Sequence, residues 1–169
     1  MRVCLEHAEH GDAGAIGALC ALYLGLRASE ITDRLVRDVD DEGRLLWVPT
    51  GKTRKAKRTL EVPEPLRPLL CALTEGRPAS AELFPGDRHW LLKQVKKMCR
   101  LAKVPVVCSH GMRGLHSTLA MEMGATGHAV AQALGHESFA TTKRHYLGDG
   151  ALSRGSQRRA LSLIAGGKQ

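Results

Sequence analysis

A chain of 169 residues is long enough for one domain with a real core and too short for two full ones. Its 25 Lys and Arg against 17 acidic residues give a net charge of +8, which favours a polyanionic partner, either nucleic acid or an acidic membrane. Aromatic residues make up only 4% of the chain, which argues against single-strand binding on a row of stacking rings and leaves backbone phosphates as the better target. No apolar run approaches the roughly 18–20 residues that span a bilayer, and Met1-Arg2-Val3-Cys4 carries no signal-peptide pattern. The expectation is a cytoplasmic, nucleoid-associated protein without a membrane partner. The five cysteines include no Cys-x-x-Cys pair, and the eight histidines form no ligand cluster beyond the faint Cys108-x-His110 half-site, so neither a disulfide framework, a metal nor a cofactor is indicated.

In chain order, residues 12–26 are mostly Ala, Leu, Ile and Gly with Tyr23 embedded, which predicts a buried helix ended by Gly25. A second short helix is expected from Ser29. Arg27 interrupts this apolar neighbourhood and needs a partner, for which Glu30 is nearest. Asp40-Asp41-Glu42-Gly43 signals a turn, followed by strands over 45–48 and 59–62. Between them runs Thr50-Gly51-Lys52-Thr53-Arg54-Lys55-Ala56-Lys57-Arg58, a basic hairpin tip with no acidic residue. Two readings stand: a solvated charged turn, or a finger in which Arg54, Lys55, Lys57 and Arg58 contact DNA phosphates. A nucleotide-binding P-loop is excluded because Leu46 occupies the place of its first glycine and a strand, not a helix, follows.

Helices are expected from Pro63 through Leu73 and over 88–102, the latter with Trp90, Leu91, Val95, Met98 and Leu101 as its buried face and Lys93, Lys96, Lys97, Arg100 and Lys103 on the remainder. That basic surface is either simply solvated or a track along a duplex. Ser109 reads as the N-cap of a helix to about Met123 with Gly124 as its stop, and His110 and Arg113, at i and i+3, share its first turn, where free N–H groups suit an anion. A short helix near His128 to Leu134, a break at Gly135-His136, the segment Ala140–Arg144, Tyr146 and an amphipathic tail over 152–165 complete the chain.

These motifs, in this order, resemble the catalytic domain of the tyrosine recombinases, the phage-integrase family, from about Gly11 to Gly148. Leu24-Gly25-Leu26-Arg27-Ala28-Ser29-Glu30 is similar to the family's first arginine box, Gly51-Lys52 to its lysine finger and Ser109-His110-Gly111-Met112-Arg113 to its His-x-x-Arg box. Leu134-Gly135-His136 and Thr141-Thr142 through Tyr146 resemble the Leu-Gly-His box and the nucleophile segment. Two departures stand out: Gly114-Leu115 follows Arg113 where His-Thr is common, and Tyr146 lies ten residues after His136 where nine is usual.

The resemblance implies a mainly α fold with a small antiparallel β-hairpin or sheet, an α+β catalytic domain over 1–169. It would have a lead-in over 1–11, a core over 12–148 and a tail helix over 149–169, with the usual N-terminal clamp domain absent. It further implies a site-specific recombinase or integrase of mobile DNA that cuts and rejoins double-stranded DNA without metal through a 3′-phosphotyrosine, acting as a homotetramer. Tyr146 would be the nucleophile, Arg27 and Arg113 the phosphate grips, Lys52 the general acid, His110 and His136 proton and phosphate partners, and Glu30 the group that orients an arginine. His116, His128 and His145 carry no implied role and read as surface or satisfied core. A non-catalytic DNA-binding remnant and a type IB topoisomerase-like enzyme are the competing readings.

Overall fold

The structure, a computed structural model, describes residues 1–49 and 57–135. Within these residues lie seven helices and one three-stranded sheet. The central element is α2 (Ala13–Tyr23), capped by the Asp12 carboxylate, which accepts from the N–H groups of Gly14 and Ala15. Residues 14–21 are all buried, because α1 (Arg2–Glu9), α5 (Arg88–Leu101) and α6 (Ser109–Glu122) pack around them. A helix apolar on every side has no solvent face to lose, which is why its sequence shows no periodic stripe.

Glycine lets α5 come close. A Cβ on Gly17 would stand 2.9 Å from Leu91 Cδ1, and one on Gly14 would stand 2.6 Å from Gln94 Cγ, so both positions are filled by the neighbouring helix. Helix α1 falls in the expected lead-in and buries Cys4 and Ala8 against this core. Their i, i+4 spacing is the signal that a helix was present there.

On α5 the buried residues are Leu91, Val95, Met98 and Cys99. The expected face is corrected at its edges: Trp90 is only partly buried, its ring 6.4 Å from that of Phe84 and tilted by 40°, and Leu101 is 45% exposed. At roughly 100° per residue both lie about a quarter turn or more from the centre of the Leu91–Val95–Met98–Cys99 stripe.

Strands β1 (Val39–Asp40), β2 (Leu45–Val48) and β3 (Arg58–Glu61) form an antiparallel sheet in that order, with Val48 opposite Arg58 and Leu45 opposite Glu61. The two-residue β1 joins the expected hairpin as a third strand. Leu46 and Val48 point into the core while Trp47 faces out, the alternation required of a half-buried strand. A 3-10 turn over Glu64–Leu66 leads into α4 (Arg67–Thr74), which closes the core with Leu69 and Leu70. Thr126 caps α7 (Gly127–Ala133), which packs on α6 through Met121, Val130 and Leu134. Among the described residues no helix is long and apolar enough to cross a membrane.

Candidate active site around Glu30

Gly25 takes φ +59° and so turns the chain sharply after α2, as its place at the end of the apolar run implies. Arg27 follows as the N-cap of α3 (Ala28–Thr32), one residue earlier than the expected start at Ser29. Glu30, the third residue of that helix, reaches back: its Oε2 accepts from the Arg27 N–H at 2.8 Å and its Oε1 from Arg27 Nη1 at 2.8 Å. This is the capping-box geometry, with the cap's own guanidinium as a second donor.

Two further cations meet the same carboxylate. Arg58, from the base of the β2–β3 hairpin, donates from Nη1 to Oε1 at 3.1 Å and from Nη2 to Oε2 at 3.2 Å. Arg113, from the first turns of α6, brings Nη1 to 3.7 Å from Oε2. Three guanidiniums from three elements therefore share one carboxylate that is 4% exposed. Three guanidiniums gathered at one buried carboxylate make the local environment positive, and partial burial strengthens its attraction for a guest anion relative to water. Burial alone would push the Glu30 carboxyl up, but the Arg58 hydrogen bond, the Arg27 N–H and the charges of both arginines outweigh it. They hold the carboxyl below the ordinary carboxylate range.

The three arginines are not equivalent. The Arg27 side chain remains 41% exposed, so it is the one that offers donors to a ligand. Although Arg27 follows an apolar run, it is not buried itself; among the described residues the buried arginines are Arg34 and Arg113. Arg113 is fully buried and donates from Nη1 to the Gly25 carbonyl and from Nη2 to the Leu134 carbonyl at 2.8 Å. It locks the turn before Arg27 to the end of α7. His110, expected on the same face, lies in the same first turn but is exposed. The helix N-cap is Cys108 rather than Ser109: Cys108 Sγ accepts from the Gly111 N–H at 3.4 Å, and Ser109 is the first helical residue, buried at 7%.

Arg58, expected among the phosphate-contacting residues, is directed toward Glu30. In β3 it lies on the same face as Leu60, opposite the buried Val48, and its side chain is 10% exposed. Strand alternation turns it inward while its neighbour Lys57 is exposed. Besides gripping Glu30, its Nε donates to the Ala133 carbonyl at 3.0 Å.

Sequence reasoning missed Arg34. It is 1% exposed and donates from Nε to the Glu30 carbonyl at 2.7 Å, and from Nη1 to Asp38 Oδ2 at 2.9 Å and to the Trp47 carbonyl at 3.1 Å. It thereby ties α3 to β2. The i, i+4 spacing of Arg34 and Asp38 was the available signal. His116, expected as either surface or satisfied core, is partly buried: its Nδ1 donates to the Leu22 carbonyl at 2.9 Å, and its ring lies against Gly25. Burial lowers its pKa, and the Arg113 charge adds to that against the opposing effect of the Leu22 bond. His128 is exposed.

Lys52, Arg54 and Lys55 lie outside the described residues, as do His136, Tyr146, His145 and the tail. Among the described residues no group of three or more His, Cys, Asp or Glu could hold a metal ion.

Residues 10–150 match the model of the phage integrase family. The chain belongs to that family. It is 36% identical over 133 residues to the tyrosine recombinase XerC of Mycobacterium sp. (strain KMS), an alignment covering 70% of this chain and 44% of that protein. Among solved structures, the crystal structure of XerA recombinase superposes with a TM-score of 0.72 at 21% identity, covering 99% of this chain and 61% of that one. The Tn1549 transposon integrase in complex with circular intermediate DNA gives 0.68 at 17%, covering 89% and 59%. The fold is thus that of a tyrosine recombinase catalytic domain, and the chain spans about half the length of the curated relatives it matches. Among the described residues, Arg27, Arg58 and Arg113 meet at the Glu30 carboxylate, which makes this cluster the candidate site.

Proposed function

We propose that the chain carries the catalytic centre of a site-specific recombinase that breaks and rejoins double-stranded DNA. Tyr146 Oη attacks a backbone phosphorus, the bond from phosphorus to the 5′-oxygen breaks, and a 3′-phosphotyrosine forms while Lys52 protonates the leaving 5′-alkoxide. The tyrosine proton passes toward His110, which makes a phenol of pKa about 10 a competent nucleophile at neutral pH. Because the phosphodiester energy is kept in the covalent link, attack by another 5′-hydroxyl reverses the step without a nucleotide cofactor.

The observation that carries this reading is the convergence of three guanidiniums on Glu30 with Arg27 still half open. A phosphorane transition state spreads extra negative charge over its non-bridging oxygens, and a preorganised positive cluster in a low dielectric is what stabilises it. Arg27 supplies the planar fork that meets those oxygens. Arg113 contributes its charge from behind and holds the pocket closed. His136 is assigned to the phosphate. Arg54, Lys55 and Lys57 are assigned to the flanking DNA backbone, and a homotetramer is the expected assembly on DNA.

The test uses a pool of nicked duplexes with randomised sequence around the nick, which traps the covalent step because the short cleaved strand diffuses away. The wild-type chain should give a DNA-linked band from which one sequence family is enriched, and Tyr146→Phe should give none. Absence of any trapped sequence with the wild-type chain would sink the reading. Relaxation of supercoiled plasmid by a monomer, with no strand exchange, would shift it to a topoisomerase-like enzyme.

A further inference from the structure

The guanidinium of Arg58 lies in β3 and is nearly buried, unlike its exposed neighbour Lys57. Its acceptors among the described residues include both oxygens of Glu30 and the Ala133 carbonyl, on two separate elements. Glu30 in turn holds the backbone N–H and Nη1 of Arg27. A chain of contacts therefore runs from the sheet through Arg58 and Glu30 to the exposed arm of Arg27, and a branch runs to the last turn of α7. The Arg58 grip matters because Arg27 and Glu30 belong to one short segment and move together, whereas Arg58 ties the carboxylate at both oxygens to the sheet and so fixes the direction of Arg27 Nη1.

We propose that Arg58 is a positioning residue that fixes Glu30 and the end of α7, and so aims Arg27, rather than a residue that binds DNA phosphate. This rests on the recombinase reading above for its effect on rate, although the clamp itself does not. Without Arg58 the Glu30 carboxylate keeps Arg27 and the more distant Arg113 but loses the two hydrogen bonds that anchor it to β3. Misplacement of a positioning group by about 1 Å is enough to lower a rate by roughly 10²-fold.

The experiment compares R58A, R58K and E30Q, singly and as R58A combined with E30Q, on the DNA enriched from the randomised pool. Adduct formation at saturating DNA should fall about 10²-fold in R58A. The salt dependence of binding to a generic duplex should be unchanged, and R58A should add no further loss to E30Q. R58K, which can reach only one acceptor at a time, should fall between wild type and R58A.

The proposal is overturned if R58A binds DNA more weakly, with a salt slope shallower by the roughly 0.9 expected for one phosphate contact, yet cuts at the wild-type rate when saturated. Additive losses in the double variant overturn it too, as does R58K at the full wild-type rate beside an inactive R58A.

A readout independent of DNA separates this inference from the function. The carboxyl of Glu30, followed by carbon NMR, faces Arg27, Arg58, Arg113 and the neighbouring Arg34 guanidinium, and its titration should move upward in R58A. If the wild-type chain traps no DNA but Glu30 moves in R58A, the recombinase reading fails and the clamp stands. If wild type traps DNA and Glu30 titrates alike in both proteins, the clamp fails and the recombinase reading stands.

Discussion

Replacing Glu30 by Gln removes one negative charge from beneath three guanidiniums while keeping the side chain's shape. In the wild type its oxygens accept four hydrogen bonds of 2.8–3.2 Å, one from a backbone N–H and three from guanidiniums. The amide keeps one acceptor oxygen and turns an NH2 group toward donors. Breaking a buried ion pair by removing one partner costs about 3–5 kcal/mol, and the retained oxygen places Glu30→Gln at the lower end, near 3 kcal/mol. With a urea slope of about 2 kcal/mol per molar, the unfolding midpoint should drop by about 1.5 M at neutral pH.

The pH dependence gives the sign. Since the folded-state pKa of Glu30 lies below its unfolded value, its stabilisation is fully present above about pH 4.3 and is lost as pH falls through the folded pKa. The gap between wild type and Glu30→Gln should therefore close at acid pH. Urea titrations at a series of pH values measure both effects. A midpoint within about 0.3 M of wild type at pH 7 would refute the claim that the carboxylate organises the arginines.

Gly25→Ala combines a φ of +59° with a Cβ that would stand 2.6 Å from Leu134 Cδ2 and 2.7 Å from His116 Cδ2, so it should cost about 3 kcal/mol and lower the melting temperature by roughly 10 °C. Gly76→Ala, with φ +65° and nothing within 4 Å, serves as the control and should cost only about 1 kcal/mol. His116 has a folded pKa below its unfolded one, so stability is present above about pH 6.5 and falls as pH drops through the folded pKa. In His116→Asn that part of the pH profile should flatten, as melting curves between pH 5 and 8 would reveal. The buried Cys20 thiol, pushed up to about 12, should resist a thiol reagent until the protein unfolds, whereas the exposed Cys108 should react at once. Equal labelling rates would contradict the burial of α2.

The elements were legible in the sequence where one signal dominated. The apolar run of α2, the apolar residues of β2 behind their turn signal and the stop at Gly124 each left one consistent pattern, and the structure places β2 and α6 within a residue of the expected limits and ends α2 at Tyr23, just before Gly25. The cap of α6 slipped by one residue because Cys108, a weak acceptor, does what serine usually does. The site was only half legible. Arg27, Glu30 and Arg113 could be chosen as a group from their motifs, but not the division of labour among them, which depends on tertiary contacts. Arg113 is buried by the carbonyls of Gly25 and Leu134, and no local pattern around it announces either partner. Charge alone groups Arg58 with the basic tip, and its contact with Glu30 follows from its parity in β3, which shows only once the strand register is known. Arg34 went unseen although its i, i+4 partner Asp38 was in plain view.

The most direct test of the account is to digest the trapped DNA–protein adduct with nuclease and trypsin and weigh the peptides. Trypsin cuts after Arg144 and Arg154, so the account predicts a nucleotide remnant on the peptide from His145 to Arg154, which holds Tyr146 and no other tyrosine. A remnant on a peptide carrying Tyr23, or on one with no tyrosine, would contradict it.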